Sequence, residues 1–138
     1  MNSPFLASSH DDIDIVLLED NATIRANMLC LLESEGWYVQ AFQNPHLCLS
    51  ALFEMPDSQL PRIILSDYNL GAGVMDGIAF TATLKLSARH QHIPILMVSA
   101  EVSPTLHAHA KQHGIVAWVD KMNLHKELLI AIQRFILP

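Results

Sequence analysis

Glu19, Asp20 and Asp67 are three carboxylates that directly follow, or close, short apolar runs, and Ser99 and Lys121 stand at the ends of two more. The runs are Asp14–Glu19 (DIVLLE), Arg62–Ser66 (RIILS), Pro94–Ser99 (PILMVS) and Val116–Val119 (VAWV). Continuous apolar runs of this length read as strands of a parallel sheet buried on both faces. In open α/β sheets, ligands bind beyond the carboxyl ends of the strands. Three carboxylates, one hydroxyl and one ammonium are therefore expected at one sheet edge. Carboxylates so close repel one another, which calls for a divalent cation among them. Mg²⁺ suits an all-oxygen site in which it keeps several waters. Asp20 and Asp67 can ligate it directly and Glu19 through water. Asp67 then still offers an oxygen as nucleophile, while Lys121 and Ser99 can stabilise charge on transferred oxygens. Phosphoryl transfer onto Asp67 is the chemistry these residue types suit. Taken singly, each has a plainer reading: an acid or Ser99 caps a helix, and Lys121 is solvated. The argument rests on their joint placement.

Amphipathic stretches alternate with the strands. Asn21 or Asp20 caps a helix to about Glu35, with Ile24, Met28, Leu31 and Leu32 on one face and Gly36 as its stop. Trp37–Phe42 (WYVQAF) reads as another strand, and Asn44-Pro45 opens a helix through about Met55. Asp76-Gly77 opens a third helix, with Phe80 and Leu84 inward, that ends near His90. Pro104 starts a fourth, which Gly114 ends. His125–Leu137 forms the last, with Leu128, Leu129, Ile132, Phe135 and Ile136 as its apolar stripe. Five strands alternating with five helices predict an α/β fold with a parallel sheet covered on both faces. One domain over residues 13–138 is expected, after a polar tail over 1–12.

The chain has 138 residues with 14 acidic and 8 basic side chains, for a formal charge of −6. That length buries a sizeable core without staples. The acidic balance gives no footprint for nucleic acid or anionic lipid. No apolar run is long enough to cross a membrane. Cys30 and Cys48 show no CxxC spacing, lie in helical patterns and read as buried free thiols. His90 and His92 read as solvated loop residues. The spacing of His107, His109 and His113 is read as giving no chelating pair on one face.

The ordered set DIVLLED, IILSDYNL, VMDGIAF, ILMVSAE and AWVDK resembles the receiver domain of bacterial two-component systems over about residues 13–137. The resemblance implies a flavodoxin-like, doubly wound five-stranded parallel sheet in the order 2-1-3-4-5. It also implies a Mg²⁺-dependent phospho-acceptor role for Asp67 beside the acidic pair Glu19 and Asp20. Asn69 matches the position whose backbone carbonyl binds the metal, and Asp76-Gly77 the pair that opens the third helix. Ser99 matches the switch hydroxyl, Trp118 the switch aromatic and Lys121 the lysine of the site. The implied partners are a histidine kinase or a histidine phosphotransfer protein, in the cytoplasm. The implied output is a change on the face of the fourth helix, fifth strand and fifth helix, with no turnover of an external substrate.

Two features depart from the family pattern. Met122 stands where a proline is usual, so the Lys121-Met122 peptide is predicted trans, because cis before a non-proline costs about 2.5–4 kcal/mol. The loop from Asp67 to Asp76 looks about two residues longer than usual, with Gly71 and Gly73. Two other readings use the same residues. One is a receiver that signals by contact without phosphorylation, against which stands the intact acidic cluster. The other is a flavodoxin-like or phosphatase-like enzyme using Asp67. Asn69 replaces the second aspartate that such phosphatases carry, and no glycine-rich phosphate loop follows the first strand.

Overall fold

The computed structural model describes residues 12–101 and 103–136; most of the polar tail and Leu137 lie outside them. Five strands, β1 (Ile15–Leu18), β2 (Val39–Phe42), β3 (Ile63–Ser66), β4 (Ile95–Ser99) and β5 (Ile115–Asp120), form one sheet in the order β2-β1-β3-β4-β5. Every neighbouring pair is parallel. The central strands are buried on both faces, as their unbroken apolar runs require.

Alternation along each strand divides the core in two. Ile15, Leu17, Ile63, Leu65, Leu96 and Val98 face one side, where Met28 and Leu32 of α1 (Ala22–Ser34) and Leu128, Ile132 and Ile136 of the last helix pack. Val16, Leu18, Ile64, Ile95 and Met97 face the other. They meet α2 (Pro45–Glu54), α3 (Gly77–Lys85) and α4 (Pro104–Gln112) through Leu52, Phe80, Leu84 and Ala110. β5 breaks step: Ile95 pairs with Ile115, but Leu96 pairs with Ala117. The extra residue, Val116, reverses the phase of the strand. Ile115 and Trp118 thereby share the α4 side, while Ala117 and Val119 share the α1 side.

The helix starts follow the sequence. Asn21, Asn44, Asp76 and Ser103 each accept a backbone N–H of the first turn. The ends follow it less well. α3 stops at Lys85, and residues 86–92 continue as turns. His90 is fully buried there, its ring nitrogens 2.6 Å from Ser87 Oγ and 2.8 Å from the Leu52 carbonyl. The solvated reading of His90 is thus wrong; both ring nitrogens have partners, which is what permits burial. The last helix begins as a π-helical turn, Leu124–Leu128, and is α-helical only over α5 (Leu129–Gln133). Leu128, Ile132 and Ile136 are buried while Phe135 is exposed. Cys48 is buried but Cys30 is exposed, which corrects the reading of both as core thiols. Trp37 is buried ahead of β2 rather than in it. His109 and His113 lie four residues apart with ring centroids 4.5 Å apart, so they do share a helix face.

Candidate functional site

The carboxyl ends of β1, β3, β4 and β5 bring the polar residues together. Glu19 leaves β1 with its N–H bonded to the Phe42 carbonyl at 3.0 Å, and Asp67 leaves β3 bonded to the Leu18 carbonyl at 3.1 Å. These continuations of the ladder fix where the two acids emerge. Lys121, one residue past β5, reaches back over the edge. Its Nζ lies 2.6 Å from Asp67 Oδ2 and 2.8 Å from Glu19 Oε1. One ammonium therefore bridges two acids whose side chains are almost fully buried.

Burial is the largest influence on both ends of this triad. It pushes the Glu19 carboxyl above its ordinary range, against hydrogen bonds from Lys121 and the Asn21 N–H, with the Asp67 charge adding to the rise. Burial alone would lower the Lys121 pKa, but hydrogen bonds to Asp67 and Glu19 together with their charges overcome it, and the net direction is upward. Lys121 stays an ammonium.

Asp20 is exposed beside the buried pair. One carboxylate oxygen each from Glu19, Asp20 and Asp67 lies within 4.8 Å of the others. Opposite ligands of an octahedral Mg²⁺ are separated by about 4.2 Å, twice a metal–oxygen bond of about 2.1 Å. Three carboxylate oxygens gathered this closely could hold a divalent cation among them. Asn69 lies in the loop two residues after Asp67 and turns its side-chain Oδ1 to the Gly71 N–H at 3.3 Å. The long loop folds toward Asp20. Gly71 has φ +116°, and a Cβ there would lie 3.7 Å from Asp20 Oδ2.

Ser99 is buried at the end of β4, and its Oγ accepts the Glu101 N–H at 3.2 Å. It does not cap α4, a role taken by Ser103. Trp118 is half-buried, with its ring centroid 4.1 Å from His107 of α4 and 6.3 Å from Tyr68. Its Nε1 is buried without a partner among the described residues. Lys121-Met122 is trans, there being no cis peptide among the described residues. Asp120, next to the lysine, caps the following turn through the Met122 N–H at 3.0 Å.

Sequence reasoning missed Arg25 altogether and the steric role of Gly77. Gly77 donates its N–H to the Tyr68 carbonyl at 2.7 Å. A Cβ on Gly77 would come 2.3 Å from the Asp67 carbonyl oxygen and 2.8 Å from Met97 Sδ. The Asp-Gly pair was visible as a helix start; the tight approach to the Asp67 backbone was not. Arg25 carried no signal beyond its place in the first helix. Its guanidinium turns back on the Glu19 carbonyl.

Known proteins share this fold. The chain matches the response regulator receiver domain family over residues 15–133. An NtrX-like response regulator of Rickettsia bellii is 24% identical over 122 residues, covering 88% of this chain and 24% of that protein. The chain thus spans about a quarter of the length of that relative. The structure of the chemotaxis protein CheY4 of Vibrio cholerae superposes with TM-score 0.80 at 23% identity, over 91% of this chain and 99% of that one. The phosphorylated cyanobacterial phytochrome response regulator RcpA superposes with TM-score 0.66 at 20% identity, over 90% of this chain and 89% of that one. The five-stranded parallel order, the acidic cluster at its carboxyl edge and the match over nearly the whole described chain lead to one conclusion: this chain belongs to the family of response regulator receiver domains.

Proposed function

We propose that this receiver domain takes a phosphoryl group from a phosphohistidine onto Asp67 in a Mg²⁺-dependent step. The observation that carries the reading is the Lys121 bridge: a half-buried ammonium 2.6 Å from Asp67 Oδ2 within a cluster of three carboxylates. In this reading the Asp67 oxygen not held by Lys121 attacks phosphorus. A P–O bond forms as the P–N bond of the donor breaks, and the electron pair returns to the donor imidazole, which takes up a proton. Asp67, Asp20 and the Asn69 carbonyl would hold Mg²⁺, with Glu19 assisting through water. The cation supplies charge neutralisation for the incoming phosphoryl oxygens.

Lys121 keeps Asp67 oriented and remains to pair with a phosphoryl oxygen. Ser99 accepts from Glu101 N–H, so its own proton is available to a second phosphoryl oxygen. Drawing Ser99 toward phosphate opens space beside Trp118, whose ring follows, and the α4-β5-α5 face changes. The phosphorylated state of RcpA, a protein of the same fold, supports carrying this chemistry over. The donor is a histidine kinase or a histidine phosphotransfer protein, and the setting is cytoplasmic; no helix among the described residues is long and apolar enough to cross a membrane. The domain binds neither nucleic acid nor membrane itself and turns over no external substrate.

An acyl phosphate can be trapped chemically. After incubation with acetyl phosphate and Mg²⁺, borohydride reduction should convert Asp67 to homoserine in the peptide spanning β3. Homoserine at any other acid, or at none, would contradict the assignment.

A further inference from the structure

We propose that Arg25 is a positioning residue for the divalent cation: it fixes the backbone turn that presents Glu19 and Asp20. This rests on the reading above that the acidic cluster takes Mg²⁺. Arg25 lies in the first turn of α1, and its own N–H bonds the Asn21 carbonyl at 2.9 Å. Its side chain then doubles back. Nη1 lies 2.8 Å from the Glu19 carbonyl and 3.4 Å from that of Asp20. The strand ladder has ended by these residues, so their carbonyls need partners from elsewhere.

The other ties at this turn are short-range. The Asn21 N–H bonds Glu19 Oε2 at 3.0 Å, and the Ile24 N–H bonds Asn21 Oδ1 at 2.9 Å. Neither holds Asp20, which is exposed and is the acid nearest to open solvent in the cluster. A guanidinium suits this task because one terminal nitrogen carries two protons, enough for two neighbouring acceptors, and the group stays charged at all working pH. With both peptide carbonyls turned to Arg25, the Cα–Cβ directions of Glu19 and Asp20 are set, and the two carboxylates share one site without a search.

Charge and position give opposite signs. A cation this close to the cluster repels Mg²⁺, so if charge were its whole effect, removing it would tighten binding. If Arg25 acts by holding the turn, removing it weakens binding, because the acids must be ordered when the cation arrives.

The test is a Mg²⁺ titration followed by amide NMR shifts of Glu19–Asn21 in the whole chain, alongside thermal unfolding. Arg25→Met should weaken Mg²⁺ binding at least fivefold. Arg25→Lys keeps the charge on a shorter side chain without the planar guanidinium, and should fall between Arg25→Met and the unsubstituted chain. At saturating Mg²⁺ the rate of phosphorylation by acetyl phosphate should return to within about twofold of the unsubstituted chain. Binding in Arg25→Met that is unchanged or tighter would overturn the proposal, as would a lowered Tm with an unmoved Kd in both variants. If the unsubstituted chain shows no saturable Mg²⁺ shift, the reading of the cluster itself fails, a result separate from either outcome for Arg25.

Discussion

Lys121 is the side chain on which the local electrostatics turn. Its ammonium compensates two acids that are almost fully buried, and a third acid lies beside them. Removing one partner of a buried pair leaves uncompensated charge, at a cost of about 3–5 kcal/mol. Lys121→Met is therefore expected to lower stability to chemical denaturation by about 3 kcal/mol. Mg²⁺ should recover more stability in this variant than in the unsubstituted chain, because the cation then supplies the missing positive charge. Equal Mg²⁺ responses in the two chains would show that the triad and the cation site are independent.

The two thiols give a second check at the same scale. Burial pushes the Cys48 thiol up to about 12, while Cys30 is exposed on α1. Thiolate is the reactive form. At pH 8, iodoacetamide should modify Cys30 alone, and Cys48 should react only in denaturant. Rapid labelling of both thiols in the folded chain would contradict the packing of α2.

At the scale of elements, the third helix must start against the site. Asp76 accepts the Ala79 N–H, and Gly77 follows with room for hydrogen only, since a Cβ would meet the Asp67 carbonyl at 2.3 Å. Gly77→Ala should shift β3 or α3 and cost about 1–3 kcal/mol by overpacking. It should also slow phosphorylation of Asp67, whereas an alanine at the exposed Gly73 leaves the Asp67 backbone untouched. Unchanged stability and rate in Gly77→Ala would show that the helix start gives way freely.

The helix starts were legible in the sequence because capping is local chemistry: Asn21, Asn44, Asp76 and Ser103 bond groups two or three residues on. The ends were not. His90 looked polar and solvated because one of its partners, the Leu52 carbonyl of α2, is brought to it only by tertiary packing, while the nearby Ser87 alone gave no sign of burial. Phe135 fitted a stripe drawn at the α-helical period, but only Leu128, Ile132 and Ile136 of that stripe are buried. Arg25 and the steric role of Gly77 were invisible for a similar reason: each acts on a backbone carbonyl, and carbonyls leave no trace in side-chain patterns.

For the whole molecule, five apolar runs alternating with amphipathic stretches were enough to predict a parallel sheet, since such runs are buried on both faces only with helices on each side. The order of strands came with the family resemblance and is the order found, β2-β1-β3-β4-β5. That order places β1 and β3 side by side, so Glu19, Asp20 and Asp67 become neighbours although Asp67 lies 47 positions after Asp20 in the chain. The bulge at Val116 is a whole-sheet feature that no local pattern announces. It sets Trp118 against Tyr68 and His107 on the α4 side of the sheet. If Trp118 follows Ser99, its emission in a Trp37→Phe background should change when beryllofluoride and Mg²⁺ are added, and Ser99→Ala should blunt the change. Identical spectra would leave Trp118 as packing alone.

The central claim is that Asp67 accepts a phosphoryl group with Mg²⁺ as cofactor, and intact-mass spectrometry tests it most directly. With acetyl phosphate and Mg²⁺, the unsubstituted chain should gain the mass of one phosphoryl group. The gain should vanish in Asp67→Asn and when EDTA replaces Mg²⁺. An unchanged mass at saturating donor, or the same gain in Asp67→Asn, would contradict the account.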